Sequence, residues 1–248
     1  MQDYFNTRRS IRRYSDRPVD RHELVEMLRE ASHAPTTGNM QLYSVVVTDS
    51  AEGRQALSPA HFNQPAVTGC QVVLTFCADF NRFVKWCEVS DAVPGYDNFQ
   101  SWMTAVLDTV IFAQQFVTIA EMRGMGTCYM GTTTYNAPMI GGALGLPERV
   151  VPVVTVTLGW PEGESEVSDR LEPSAFVHYD CYHNPSPEEV REMYAEKEAR
   201  EDSRRFVAEN NKQSLAQVFT DVRYTRQANE AFSKVYFDYI RDQGFSIP

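Results

Sequence analysis

Five arginines crowd into one short stretch near the start of the chain, at positions Arg8, Arg9, Arg12, Arg13 and Arg17. We call residues 8–17 the basic segment. If this segment is helical, Arg8 and Arg12 lie one turn apart on one face, and Ser10 adds a hydroxyl and backbone N–H groups nearby. Guanidinium forks match phosphate oxygens in bidentate fashion, so the segment is a candidate phosphate cradle. A solvated basic patch that pairs with surface carboxylates fits the pattern equally well.

Three other segments combine small, hydroxyl, amide or aromatic residues. Residues 34–41 (APTTGNMQ), which we call the polar loop, and residues 126–132 (GTCYMGT) let backbone amides approach a planar ring, whose edge Asn and Gln side chains can recognise. Each is also what an ordinary turn requires. Residues 158–161 (LGWP), followed by Arg170, either close an anion site or form an aromatic lid on the core beside a surface arginine.

The hydrophobic pattern predicts the helices and strands that position these segments. Asp20 and Glu23 form a capping box, and apolar residues then recur at helical spacing, which predicts a helix over residues 20–33 that Pro35 ends. β-branched runs predict strands at residues 43–48, 72–76, 127–130 and 151–158. Further helices are predicted at residues 50–58, 138–144, 187–205 and 228–241. This order indicates a two- or three-layer α/β domain with a helical C-terminal extension.

Residues 102–122 predict a long helix that is apolar on nearly every face. Asp108 is its only charge before Glu121, and Gly124 and Gly126 end it. Such a helix must be covered on all sides, either at the centre of a large core or in a subunit interface.

Composition limits the class of protein and its partners. The 248 residues are 43% hydrophobic, which is typical of a folded protein, and we expect one domain over residues 1–248, of which about 185–248 form the helical extension. The formal net charge of -10 argues against nucleic acid and anionic membranes as partners.

Cysteines, histidines and hydropathy indicate a cytoplasmic protein without a metal. Five scattered cysteines with no CxxC pair indicate reduced thiols. The five histidines form no HExxH motif or ligand-like cluster, so we expect no metal ion. Neither a signal-like leader nor a run of about 18 apolar residues occurs, so we expect a soluble, cytoplasmic protein.

Taken together and in this order, these segments resemble the nitroreductase family of FMN enzymes, in the branch of the major oxygen-insensitive NADPH nitroreductase and flavin reductase P of bacteria. The resemblance covers essentially the whole chain. It rests on RRSIRRY at 8–14, APTTGNMQ at 34–41, FCADFNR at 76–82, YMG at 129–131, LGWP at 158–161, RLEPSAFVH at 170–178 and DYIRDQGF at 238–245.

The resemblance implies an α+β fold with a mixed β-sheet flanked by helices, and a homodimer with two FMN sites at its interface. It places the FMN phosphate on Arg8, Arg9, Ser10 and Arg12, with Arg170 joining from a later loop. It places the isoalloxazine ring beside Thr36, Thr37, Gly38 and Gln64, with Tyr129, Met130 and Gly131 along another part of the flavin. Arg204 or Arg205 would bind the 2′-phosphate of NADPH. No catalytic acid–base residue is required.

Two departures from the branch concern its cations. Ser168 stands where the branch commonly has a lysine, so Arg170 lacks one neighbouring cation, and the region after Arg204 and Arg205 is longer than usual.

The activity that the resemblance implies is reduction of nitroaromatics, quinones or free flavins by NADPH or NADH, in ping-pong order with hydride transfer through FMN N5. Another FMN chemistry on the same scaffold, such as reductive dehalogenation, is an alternative. A non-catalytic flavin-binding redox protein is another.

Overall fold

The computed structural model describes residues 2–247, and the side chains of residues 4–247. The chain divides into two compact units, of which the first comprises residues up to Glu166 together with those from Phe232 onward, and the second comprises Val167–Ala231. The single domain expected from the sequence stays a prediction.

The first unit contains the sheet and most of the helices. Its strands are β1 (Tyr43–Thr48), β2 (Val72–Asp79), β3 (Gly126–Tyr129) and β4 (Val150–Gly159). Its helices are α1 (Gln2–Thr7), α2 (Arg21–Ala31), α3 (Ala51–Leu57), α4 (Pro65–Gly69), α5 (Asn81–Val89), α6 (Phe99–Met122) and α7 (Ala137–Leu144). All four predicted strands are confirmed, and so are the predicted helices that correspond to α2, α3, α6 and α7, with bounds shifted by a few residues. The sequence pattern did not predict α1, α4 or α5.

The second unit is helical. It contains α8 (Pro187–Ala199), α9 (Glu201–Glu209) and α10 (Leu215–Val218), and α11 (Arg226–Asp242) begins in it and continues into the first unit. The single helix predicted over 187–205 is in fact two helices, because Arg200 between them has extended backbone angles.

The sheet has the strand order β1-β2-β4-β3, and each neighbouring pair is antiparallel. The α+β class is confirmed, but the expected mixed sheet is wrong for these four strands. The reason lies in the connections. Thr48 at the end of β1 pairs with Val73 at the start of β2, so α3 and α4 return the chain to the same end of the sheet at which β1 stops. Such a return produces antiparallel neighbours, whereas parallel ones require a crossover.

Helices cover both faces of the sheet. On one face, Leu74 and Phe76 of β2 pack with Phe112 and Phe116 of α6 and with Met27 of α2. On the other face, residues of α3, α4 and α7 pack against Val73. All eight residues of β2 are buried. Burying each phenylalanine contributes about 2–3 kcal/mol, so this central strand and α6 form the core on which the site is built.

Helix α2 begins as its capping signal predicts. The Asp20 carboxylate accepts a hydrogen bond from the Glu23 backbone N–H, and Leu24 and Met27 are buried. The helix ends at Ala31, two residues before the predicted end. The polar loop follows it directly.

Helix α6 is only partly covered. It is long and apolar enough to cross a membrane by length and composition, a test that the core helix of a globular unit also passes. Phe112 and Phe116 are buried, but Leu107, Val110 and Ile111 are 56%, 41% and 41% exposed. These three residues have the i, i+3, i+4 spacing of one helix face. One apolar stripe of α6 therefore faces away from its own unit.

Candidate functional site

The basic segment is extended, so the helix assumed for it is wrong; α1 ends at Thr7. Its backbone runs along the edge formed by β3 and the end of β4. Ile11 N donates to Thr127 O at 2.9 Å, and Ser15 N donates to Trp160 O at 2.9 Å. The exposed strand edge supplies backbone carbonyl acceptors, which would stay unpaired if the segment formed a short helix. Pairing with this edge is therefore favoured over local helix formation.

Arg8 and Arg9, both predicted phosphate ligands, have protein partners. Arg8 Nε and Nη2 each donate to the Glu121 carboxylate at 3.2 Å. Tyr4 OH donates to the same carboxylate at 2.7 Å, and the Glu121 side chain is only 7% exposed. Arg9 Nη1 donates to Ser165 O at 2.8 Å and is exposed. The charge of Arg8 is thus balanced by Glu121, whereas no carboxylate among residues 4–247 forms an ion pair with Arg9.

Arg12 is exposed, and within residues 4–247 no carboxylate forms an ion pair with it. It follows Ile11, whose backbone N–H donates to Thr127 O of β3. Burial raises the pKa of the Cys128 thiol on the same strand, and the nearby Arg12 guanidinium opposes that rise. Ser10 is half-buried in the same extended stretch. An unbalanced guanidinium on a fixed strand edge is a suitable ligand for a phosphate.

Two glycines shape the surface around β3. A Cβ on Gly126 would lie 2.7 Å from the Ile11 side chain, so only glycine lets the basic segment approach the strand this closely. Gly131 differs, since a Cβ there would meet nothing within 4 Å. The backbone at Gly131 therefore borders open space.

A buried histidine connects two predicted flavin contacts. Gln64 Nε2 donates to His61 O at 3.1 Å, and His61 Nδ1 lies 2.8 Å from Thr132 Oγ1. Gln64 and the turn at residues 129–132 therefore lie close together. Burial lowers the pKa of His61 to about 4, so the ring is neutral near pH 7. Tyr129 OH donates to Gln114 on α6 at 3.2 Å.

The start of the polar loop is held by Asp108 of α6, which is 1% exposed. The carboxylate accepts from Thr36 Oγ1, from Thr37 N at 2.9 Å and from Leu42 N at 3.3 Å. The Thr36 hydroxyl is therefore used inside the loop, while Thr37 and Gly38 are exposed. The lone charge in an apolar helix was the sequence signal for this residue, but its partner was not evident.

The end of the polar loop is held by Arg82, which stands in the FCADFNR motif. Its Nη2 donates to Gln41 O, and both Nη1 and Nη2 lie 3.2 Å from Tyr43 O. Asp79 pairs with Arg82 at 3.7 Å. Gly38, Asn39 and Gln41 all have positive φ. Asp108 and Arg82 thus fix a loop whose backbone an unanchored chain would rarely adopt.

The polar loop and the basic segment lie at diagonally opposite corners of the sheet. The loop leads into Tyr43, which is level with Val151 of β4, whereas the basic segment bonds to Thr127, which is level with Leu158 of β4. Three interstrand spacings of about 4.8 Å and seven residues of about 3.4 Å separate these corners, which amounts to about 28 Å in a flat sheet. Within one chain the structure does not bring the two predicted groups of flavin contacts together.

Arg170 lies in the second unit. Its Nη1 donates to Ser168 O at 3.2 Å and to Asp169 O at 2.7 Å. Lys197 Nζ lies 2.7 Å from the Asp169 carboxylate. A lysine therefore lies near Ser168, the position at which the branch commonly has a lysine, but the Asp169 carboxylate neutralises it.

The two arginines predicted to bind NADPH lie on α9 in the second unit. Both are exposed. Arg205 Nε lies 3.9 Å from Glu209, whereas Arg204 has no ion pair among the residues that the structure describes. Of the two, Arg204 has the more available charge.

The chain is similar to known proteins in both sequence and structure. The model of the Nitroreductase family matches residues 6–160. An oxygen-insensitive NADPH nitroreductase from Salmonella typhimurium is 32% identical over 189 residues, which cover 76% of this chain and 76% of that protein. An FMN reductase (NADPH) from Bacillus subtilis is 28% identical over 179 residues, which cover 70% and 71%.

Solved structures agree with the sequence matches. One described as a candidate oxidoreductase from Bacteroides fragilis has a TM-score of 0.97 and 48% identity, with 98% of this chain and 99% of that chain covered. NfrA2 from B. megaterium has a TM-score of 0.86 and 25% identity, with 100% and 98% covered. The resemblance predicted from the motifs is confirmed, and the chain belongs to the nitroreductase family.

Proposed function

We propose that this chain is an FMN-dependent NAD(P)H oxidoreductase that reduces nitroaromatics, quinones or free flavins. The observation that carries the proposal is Arg12, an exposed guanidinium without a carboxylate partner among the described residues, fixed beside β3 within the family's matched region. Relatives named as an NADPH nitroreductase and an FMN reductase support it.

The residues around β3 fit FMN. Arg12 offers a fork for a phosphate, and Arg9 is exposed close by in the same extended stretch. The open space at Gly131 admits a flat ring against the backbone, where any larger residue would place a side chain. Gln64 carries an amide that can recognise the polar edge of such a ring. We therefore assign these residues to FMN, with Ser10, Tyr129 and Met130 beside them.

When bound, FMN supplies the hydride chemistry, and the chain supplies binding and orientation. Arg9 and Arg12 neutralise the phosphate. Thr37 and Gly38 border the planar ring, and Asp108 keeps them in place through the hydrogen bond from Thr37 N. Donor and acceptor bind in turn at one open face, which gives ping-pong kinetics.

Steady-state oxidation of NADPH in the presence of a quinone tests the activity. We expect turnover that depends on the quinone, with parallel lines in double-reciprocal plots at several quinone concentrations. Tight FMN binding without turnover toward any quinone, nitroarene or flavin would instead support a non-catalytic flavoprotein.

We further propose that the active form is a homodimer whose flavin sites are shared between subunits. The diagonal placement of the polar loop and the basic segment supports this. Because about 28 Å separates them, one chain cannot supply the loop to the ring and the basic segment to the phosphate of the same FMN molecule. In a dimer, the polar loop of one subunit can face the basic segment of the other. The exposed stripe of Leu107, Val110 and Ile111 on α6 supplies an apolar surface for such a contact.

A charge on that stripe is expected to break the dimer. Ile111→Glu places a carboxylate in a surface that is otherwise apolar, and burying it unpaired would cost several kcal/mol. We expect light scattering to show a dimer for the unaltered chain at every dilution, and monomer or aggregate for the variant. Val25→Glu, at an exposed position of α2, is the matched control and should stay dimeric. A stable, folded monomer of the unaltered chain at low concentration would overturn the proposal.

We propose NADPH as the preferred donor, bound through Arg204 with Arg205 beside it. A partly exposed arginine–phosphate contact contributes about 1–2 kcal/mol, which corresponds to a roughly five- to thirtyfold preference in kcat/KM. Replacing Arg204 and Arg205 with alanine should reduce the ratio of kcat/KM for NADPH to that for NADH. The change should come from a higher KM for NADPH, since this contact stabilises ground state and transition state alike. A double variant with the original preference, or an original preference for NADH, would remove these residues from the donor site.

We also propose a cytoplasmic location. All five cysteines are free, and Cys181 is exposed, which suits a reducing compartment.

A further inference from the structure

A cavity of about 600 Å³ adjoins the polar loop in the first unit. Residues 38–41 of the loop line one part of it, and Arg82, Phe83 and Trp86 of α5 line the rest. Gly38 thus belongs both to this cavity and to the residues proposed to border the flavin ring. A molecule in the cavity would lie next to the reacting ring.

Trp86 gives the cavity an aromatic surface. It is 63% exposed, although tryptophan is usually well buried. The Phe83 ring packs edge-on against it, with centroids 5.4 Å apart and an interplanar angle of 77°, and Tyr96 packs edge-on against Phe83. These neighbours hold the indole in one place while leaving much of it accessible. A fixed, accessible indole face is suited to stacking on a planar ligand.

Arg82 gives the cavity a positive charge. Its side chain is 56% exposed, whereas that of its acidic partner Asp79 is 8% exposed and lies 3.7 Å away. The hydrogen bonds to Gln41 O and Tyr43 O fix the plane of the guanidinium. Of the residues that line the cavity, Arg82 alone is charged. Asp79 offsets part of this charge, but the guanidinium lines the cavity and is more than half exposed, so an anionic group can approach it there.

We propose that this cavity is the specificity subsite for the electron acceptor, and that it selects planar aromatic acceptors that carry a carboxylate or another oxyanion. Trp86 stacks on the ring of the acceptor, and Arg82 attracts its anionic substituent. The inference rests on the proposed reductase function, because it concerns which acceptor the same site takes.

Turnover of two acceptors of similar shape, 4-nitrobenzoate and the uncharged 4-nitrobenzyl alcohol, tests the subsite. Trp86→Ala should lower kcat/KM about three- to tenfold for both acceptors, as expected for loss of one stacking contact. Trp86→Glu should lower kcat/KM for nitrobenzoate below the value in Trp86→Ala, because the new carboxylate repels the anion. For nitrobenzyl alcohol, the two variants should have the same kcat/KM. FMN content should not change. Val89→Ala, an 83% exposed residue of the same helix outside the cavity lining, is the control and should have no effect.

Tryptophan fluorescence separates this inference from the function on which it rests. Nitrobenzoate should quench the emission of the holoprotein at saturable concentrations. Trp86→Phe should abolish most of that quenching, because Trp102 is buried and Trp160 is half-buried with the Arg17 guanidinium over its ring. Turnover constants for nitrobenzoate that are unchanged in Trp86→Ala and Trp86→Glu would overturn the subsite and leave the reductase proposal intact. If the protein reduces no acceptor, the reductase proposal fails, and saturable quenching that depends on Trp86 decides whether the cavity binds aromatic anions.

Discussion

Arg12→Ala is expected to weaken FMN binding roughly 10- to 150-fold, from the loss of a charge-assisted, bidentate phosphate contact of about 1.5–3 kcal/mol. The effect should be large because Arg12 has no carboxylate partner among the described residues, so its full charge is available to the ligand. Titration of the apoprotein with FMN, followed by flavin fluorescence, measures the change in Kd.

Arg13→Ala is the matched control for this experiment. Arg13 is the next residue of the same extended segment, it is also exposed, and the substitution makes the same change in net charge. We expect its effect on Kd to be less than threefold, which is the size of a general electrostatic contribution at the surface. Equal losses in the two variants would mean that the segment attracts FMN only through its overall charge. Unchanged affinity in Arg12→Ala would remove Arg12 from the site.

Asp108→Ala is expected to lower the free energy of unfolding by about 3 kcal/mol. The substitution leaves Thr36 Oγ1, Thr37 N and Leu42 N without their acceptor in a region where water has little access. For a chain of this length, the melting temperature should fall by roughly 6–12 °C. Thermal unfolding followed by circular dichroism measures the change.

Two further variants show whether the effect of Asp108 is specific. Asp108→Asn keeps the volume and one acceptor, so it should lose less stability than alanine. Asp49→Ala removes an exposed ion pair with Arg21 and should cost less than about 1 kcal/mol. FMN affinity should fall in Asp108→Ala, because the polar loop loses its anchor, and stay constant in Asp49→Ala. A stable Asp108→Ala protein with normal FMN affinity would show that the loop does not depend on this carboxylate.

Local signals in the sequence predicted the elements well. β1 has its predicted bounds because a β-branched run of the length of a strand is unambiguous, and α2 begins after its predicted N-cap residue, Asp20. The polar residues between them were correctly placed in a loop. Each of these features depends on neighbours within a few residues.

Features set by distant residues were missed or wrong. Glu121 balances Arg8 across 113 positions of sequence, and Asp108 binds the polar loop across about 70. The basic segment has helical spacing of its arginines, yet hydrogen bonds to β3 and β4 hold it extended. Strand order likewise depends on how α3 and α4 return the chain, which no local pattern encodes.

The absorption spectrum of the purified protein, with identification of the chromophore released on denaturation, shows directly whether the chain is an FMN-dependent reductase. We expect a yellow protein with the absorption bands of an oxidised flavin, which bleach when NADPH is added without an acceptor and return when a quinone follows. Denaturation should release FMN in stoichiometric amount, because arginines hold the phosphate without a covalent link. A protein that is colourless as purified, and that neither takes up added FMN nor oxidises NADPH, would contradict the proposed function.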